Sequence, residues 1–376
     1  MLSKNTVFKS LAVALVISGL TSQPALAREL RMASGVPPLH PATNPLYTEF
    51  QKLIKKESGG KLSGKLLGTE VIRLGKMRDG IKSKLVEVGL FLPAYFPADL
   101  PNINLAGDMA FLSDNPHAAA AAMTEYVVTC AECQAELKKL GVTYTTSHST
   151  NTYHILSNKR VQDVSDLKGM RMRVGGPQFS RWAEAMGATP AKVSIGETFQ
   201  ALSQGTLDAT VAADSDIVAF KLDDVIKSIT TINLGTYFSV ISHTIENNVW
   251  KSLSVDERKA IARTSTITNA MCTEQNLKLS ALGMKKAKAK NIEIVEPSSG
   301  LVAATQKFAQ QDIKVAADLA AKNAGVKNGE AKLARFKALM KKWNKIAEDN
   351  ANDPDKMAAA VQHEVWDKVD FNTYGL

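Results

Sequence analysis

Arg173 closes a short strand-like run, Met170 to Val174, and is followed by Gly175, Gly176 and Pro177. The glycines let a backbone turn and approach a ligand closely. Pro177 suits the first turn of a helix. A helix start carries free N–H groups and partial positive charge, which favours an anion. An arginine there adds a planar fork that matches a carboxylate. The chemistry on offer is anion binding. The alternative is that Arg173 pairs with an acidic residue of the chain itself.

Other reactive residues form no recognisable catalytic set. The six histidines, His40, His117, His148, His154, His243 and His363, show neither HExxH nor HxxEH spacing. There is no GxSxG, and the glycine run GKLSGKLLG lacks GK[ST] at the spacing of a phosphate loop, so it reads as turn chemistry. Neither a metal nor a cofactor is therefore expected. Cys130 and Cys133 form a CxxC pair inside TEYVVTCAECQAELKKL, which reads as one helix ending at Gly141. A redox CxxC belongs at a helix N-terminus. A mid-helix pair reads as a structural disulfide or packed thiols. Cys272, the third cysteine, could meet either of them.

The elements that must position Arg173 alternate between strand and helix. ELRMAS, LVEVGLFLP, GVTYTTSHS, TYHILSN and FSVISHTIENNVW read as strands. PLYTEFQKLIKKESGG has helical spacing and stops at a glycine pair. Ser194-x-x-Glu197 and Ser254-x-x-Glu257 are capping boxes. From the second, a helical pattern runs to about Lys290, long enough to strut two lobes. The C-terminal third reads as helices. Such alternation predicts an α/β architecture with mainly parallel sheets.

The chain has 376 residues. Lys4 and Lys9, an apolar run from Leu11 to Leu20, and Ala25-Leu26-Ala27 form the pattern of an export signal over residues 1–27. The remaining length suits two lobes. Net charge is +9, spread along the chain, and aromatics make up 6%. No basic run is interleaved with aromatics, so nucleic acid is a poor partner. An exported two-lobed α/β chain suggests a cleft that closes on a ligand.

DLKGMRMRVGG followed by AEAMGATPAKVSIGETFQALSQGTLDAT resembles the signature of the solute receptors of tripartite ATP-independent periplasmic (TRAP) transporters, the dicarboxylate-receptor-like family. The matching positions are Asp166–Gly169, Arg173-Val174, Met186-Gly187-Ala188, Pro190, Glu197, Ala201-Leu202, Gly205 and Asp208. ELRMASGVPPLHPATNPLYTEFQKLIKKESGGKL and VWKSLSVDERKAI look like the family's first strand and helix and its junction into a long helix. The resemblance implies a two-lobed, class II-like periplasmic binding protein with a long helix across both lobes. It implies a monomeric receptor, no enzyme, that delivers a small organic acid to TRAP membrane subunits, with Arg173 forking the carboxylate beside Gly175. Residues 28–150 plus about 238–280 would form one lobe, and 151–237 plus about 281–376 the other. A ligand-presenting sensor or an exported enzyme on a similar fold is the alternative.

Two departures shape the expected pocket. Many relatives carry an arginine on the strand before DLKG; here STNTYHILSNK has none, and Tyr153 or Asn151 is the expected substitute. The asparagine of the family's DGQENP run is replaced by Ala212. A less polar pocket follows, suited to an acid with an apolar or aromatic portion. Trp182, Asp214, Tyr237 and Phe238 complete the candidate cleft. Trp182 reads equally as lobe core, and Tyr237-Phe238 as packing at the lobe crossing. Asp214 would repel a carboxylate and so would take a hydroxyl or amine, or face solvent.

Overall fold

The computed structural model describes residues 27–376, so most of the expected export signal lies outside it. Eleven strands form two sheets. The first contains β1 (Arg28–Ala33), β2 (Leu62–Leu66), β3 (Val88–Phe91), β4 (Val142–Thr143) and β10 (Ile241–Glu246), in the order β2-β1-β3-β10-β4. The second contains β5 (Tyr153–Ser157), β6 (Arg171–Arg173), β7 (Thr189–Ala191), β8 (Ala209–Ala213), β9 (Ser228–Thr230) and β11 (Glu293–Val295), in the order β11-β9-β5-β8-β6-β7.

Both sheets are mixed, where mainly parallel pairing is expected from the alternation. β10 runs antiparallel to β3 and β4, and β5 antiparallel to β8 and β9. These are the strands on which the chain enters each sheet after leaving the other. β5 follows β4 out of the first sheet, and β10 follows β9 out of the second.

Both capping boxes are formed. Ser194 and Glu197 cap a short turn of helix, and Ser254 and Glu257 cap the 35-residue helix Val255–Ala289. That helix packs against Leu46–Glu57 beside the first sheet and against Ser215–Ala219 and β11 beside the second. Its burial is correspondingly spread around it, from Ile261 and Cys272 to Leu279 and Ala287. Among the described residues no helix is long and apolar enough to cross a membrane.

Three sequence expectations change. GVTYTTSHS is strand only at Val142–Thr143; Tyr144 to Ser149 is buried and irregular. The helix expected through the CxxC pair is two helices, Pro116–Val128 and Ala131–Leu140. Cys130 is extended and caps the second, its sulfur accepting the Cys133 N–H. The pair sits at a helix N-terminus, is joined by a disulfide and is buried, while Cys272 is a buried free thiol. The C-terminal helices also part company. Ser299–Ala324 touches elements of both halves, whereas Gly329–Asp349 and Pro354–Glu364 pack on Pro116–Val128, which lies between β3 and β4.

Candidate functional site

Arg173 ends β6, opposite Thr210 of β8 and Ala191 of β7. Its neighbours on both sides bury it to 2% exposure. Nε donates to the Val193 carbonyl at 3.0 Å, Nη1 to the Val211 carbonyl at 3.4 Å, and Nη2 to the Tyr95 hydroxyl at 3.2 Å. Every partner is neutral, and among the described residues no carboxylate reaches its guanidinium within ion-pair distance. The internal pairing considered for this stretch belongs to Arg171, which holds Asp208 at 3.0 Å near the surface. A buried cation without a counter-ion costs several kcal/mol.

Gly175 and Tyr153 lie against the guanidinium. A Cβ on Gly175 would stand 3.6 and 3.7 Å from the two terminal nitrogens of Arg173 and 3.7 Å from the Tyr153 ring. Gly175 therefore keeps one face of the fork uncrowded. Gly176 is extended, and the helix Pro177–Ala185 starts directly after it. Tyr153 stacks between Phe179, at 5.2 Å, and Tyr237, at 5.9 Å. Burial holds the Tyr153 and Tyr237 phenols well above their ordinary value, while the Arg173 charge opposes this. Among the described residues, the buried Tyr237 hydroxyl and the Asn151 side-chain oxygen have no hydrogen-bond partner. Asn151 Nδ2 donates only to the next carbonyl, that of Thr152. The two crossing segments are stitched there, Thr150 N to Tyr237 O and Tyr237 N to Thr150 Oγ1, both at 3.0 Å.

Three expected cleft residues lie elsewhere. Trp182 is fully buried and donates its indole N–H to Thr305 on the helix Ser299–Ala324, so it is core. Phe238 stacks on Phe336 of Gly329–Asp349, at 5.3 Å, and serves packing at the crossing. Asp214 is held by His154 Nδ1 at 2.9 Å. Adjacent strand residues point to opposite faces, so His154 draws Asp214 to the face of β5 away from Tyr153.

Three residues that sequence reasoning missed come together across the two halves. Tyr95 follows β3 of the first sheet, and its hydroxyl meets both Arg173 and the Ile195 N–H at 3.0 Å. His40, after β1, stands with Nε2 3.7 Å from Asp216 Oδ1 and packs edge-on against Phe220. Burial raises the Asp216 carboxyl to about 7, although Arg173 pulls it down. Burial lowers His40 to about 4. Farther out, Arg181 joins Asp312 at 2.6 Å to Asp108 at 3.0 Å, a second link between halves. Burial raises Asp108 to about 6 against the pull of Arg181. The signals were faint: an aromatic between prolines in LPAYFP, and a second aspartate in ADSD.

A separate groove of about 620 Å³ opens beside β1 and β2, lined by residues such as Thr43, Gln51 and Thr69, none of them in the Arg173 cluster. Among the described residues no group of His, Cys, Asp and Glu is placed to hold a metal.

The fold and site can be set beside known proteins. The sequence model described as bacterial extracellular solute-binding protein, family 7 (DctP), matches residues 32–320. The C4-dicarboxylate-binding periplasmic protein DctP of Rhodobacter capsulatus is 30% identical over 138 residues, 34% of this chain and 40% of that one. The alignments span 24%, 40% and 51% of the length of three curated relatives. A TRAP periplasmic solute-binding protein from Bordetella bronchiseptica with bound (R)- and (S)-mandelate has a similar fold. Its TM-score is 0.72 at 24% identity, covering 84% of this chain and 99% of that one. A marine metagenome TRAP solute-binding protein specific for aromatic acid ligands, in complex with 3-hydroxybenzoate, gives 0.75 at 20% identity, over 85% and 99%. The match over residues 32–320 takes in both sheets and every element around Arg173. The chain belongs to the bacterial extracellular solute-binding protein family 7, the DctP family.

Proposed function

We propose that this protein is the extracytoplasmic receptor of a TRAP transporter, acting in the periplasm as a monomer without chemistry of its own. It binds a small organic acid between its halves and hands it to the membrane subunits. The observation that carries this reading is the buried Arg173 guanidinium with no carboxylate of the protein beside it. Its fork takes the carboxylate of the ligand, with Gly175 leaving the approach clear. The Tyr153 and Tyr237 rings beside it supply an apolar wall that suits an aromatic or otherwise apolar acid. The mandelate and 3-hydroxybenzoate bound by structural relatives support that preference.

The two halves follow the two sheets. One lobe takes residues 28–150 and about 238–280, the other 151–237. The expectation that 281–376 joins the second lobe is narrowed by the packing of Gly329–Asp349 and Pro354–Glu364 on Pro116–Val128. Closure brings Tyr95 onto Arg173 and His40 towards Asp216. Delivery reverses it, parting those contacts.

A thermal-shift screen of organic acids tests the reading. A ligand at about 100 times its dissociation constant stabilises the fold by about 2.7 kcal/mol. Aromatic or keto monocarboxylates are expected to raise the melting temperature. Tight binding of sialic acid or a small C4-dicarboxylate alone would overturn the apolar pocket, and no response to any acid would overturn the receptor reading.

A further inference from the structure

We infer that Asp216 and His40 form a second anchor across the cleft that takes a hydroxyl group of the bound acid, making the ligand class hydroxy acids rather than dicarboxylates. This rests on the reading that Arg173 holds a carboxylate. The geometry begins with His40. Its Nδ1 accepts the Ala42 N–H at 3.0 Å, which places the ring proton on Nε2. Nε2 stands 3.7 Å from Asp216 Oδ1, beyond hydrogen-bond reach. Asp216 lies in the first turn of Ser215–Ala219 and is 5% exposed, and among the described residues no side chain stands within hydrogen-bond distance of its carboxylate. A carboxylate has about four acceptor positions, so most of its capacity is unspent.

A donor and an acceptor 3.7 Å apart, one from each half, frame one kind of guest. An oxygen about 2.8 Å from each completes both bonds. A hydroxyl does so, accepting from His40 and donating to Asp216. A carbonyl or ether cannot donate to the carboxylate. An ammonium cannot accept from the imidazole. A second carboxylate would add negative charge beside Asp216, whose ionisation burial and Asp214 already oppose. Tyr153, which lies with the Arg173 guanidinium against Gly175, pairs with Ala213 at the end of β8, and Asp216 follows three residues later, so the hydroxyl anchor and the carboxylate fork share one end of the sheet. The role assigned from sequence to Asp214 thus passes two residues along, because His154 occupies Asp214.

The test is calorimetric titration of the protein with matched probes: mandelate and phenylacetate, 3-hydroxybenzoate and benzoate, lactate and propionate, with isophthalate as a dicarboxylate. The hydroxy member of the pair that binds is expected to be at least about tenfold tighter than its deoxy partner, since a site built for a hydroxyl rejects the analogue lacking it. Isophthalate is expected to bind more weakly than 3-hydroxybenzoate. Asp216→Ala and His40→Ala should each bring the hydroxy-to-deoxy ratio to within about threefold of unity. If either variant fails to fold, the ratio in the unaltered protein still decides. Equal affinity within every pair, with Arg173→Ala abolishing both, overturns the hydroxyl anchor and leaves the carboxylate reading standing. Failure of every acid to bind overturns the carboxylate reading, and this inference with it.

Discussion

Arg173 and Tyr95 meet at 3.2 Å across the gap between the two sheets, although 78 residues separate them. The same hydroxyl accepts the Ile195 N–H, so one phenol from the first half is tied to the clamp and to a turn of the second. Tyr95→Phe keeps the ring and removes both ties. A hydrogen bond of this kind is worth about 1 kcal/mol net. The variant should bind the ligand about fivefold more weakly, with most of the change in the dissociation rate, as stopped-flow fluorescence would show.

If Arg173 is the carboxylate clamp proposed above, its buried charge is a cost to the unliganded fold. Arg173→Met removes a buried cation and keeps an apolar stem of similar reach. Its unliganded melting temperature is expected to stay within a few degrees of the unaltered protein's, the relieved burial of the cation offsetting the loss of three hydrogen bonds and of the attraction to Asp216. A fall of several degrees in differential scanning calorimetry would mean that the guanidinium is a structural tie instead.

Trp182 separates core from site. Trp182→Phe leaves the Thr305 hydroxyl without its indole donor and opens a small void. It should cost about 2 kcal/mol of stability in urea unfolding and leave ligand affinity within about twofold. Loss of affinity with stability intact would return Trp182 to the cleft.

Gly235 sits at the crossing with φ +75°, where a Cβ would fall 1.9 Å from the Ala110 carbonyl oxygen. Only a residue without a side chain lets the crossing strand lie against the first half. Gly235→Ala should destabilise by about 2–4 kcal/mol, from the left-handed backbone and the forced displacement together. Chemical denaturation measures it.

His243 packs against Tyr47 and Phe50, and burial lowers its imidazole from 6.5 to about 3. Between those values the unfolded chain takes up a proton that the fold refuses. Its contribution is whole above pH 6.5 and is lost as the pH falls towards 3, by up to about 1.4 kcal/mol per pH unit. His40 and His148 act in the same sense, and the raised Asp216 in the opposite one. His243→Phe should therefore lessen the acid loss of stability in this window, read from urea midpoints at pH 6.5 and 4.5.

The alternation of elements, both capping boxes and the buried arginine were legible because each is a local pattern. The seam from Tyr144 to Ser149 was not. Its threonines and tyrosine read as strand, yet its groups bond to distant partners: the Thr146 carbonyl to Ser242 N, Ser147 Oγ to the Val240 carbonyl, and the Ser147 carbonyl to Asn269 of the long helix. The helix break at Cys130 was hidden because no glycine or proline marks it. Tyr95, His40 and Asp216 were invisible for another reason. Each acts only against a residue of the opposite half, and no sequence spacing records that meeting.

The most direct measurement compares an acid with its neutral amide. Benzoate and benzamide share a shape and differ in the charge that Arg173 is placed to meet. Titration calorimetry on the protein should find benzoate at least about 100-fold tighter than benzamide, with that preference gone in Arg173→Met. Equal binding of the two, or an undiminished preference for benzoate in the variant, would contradict the carboxylate clamp.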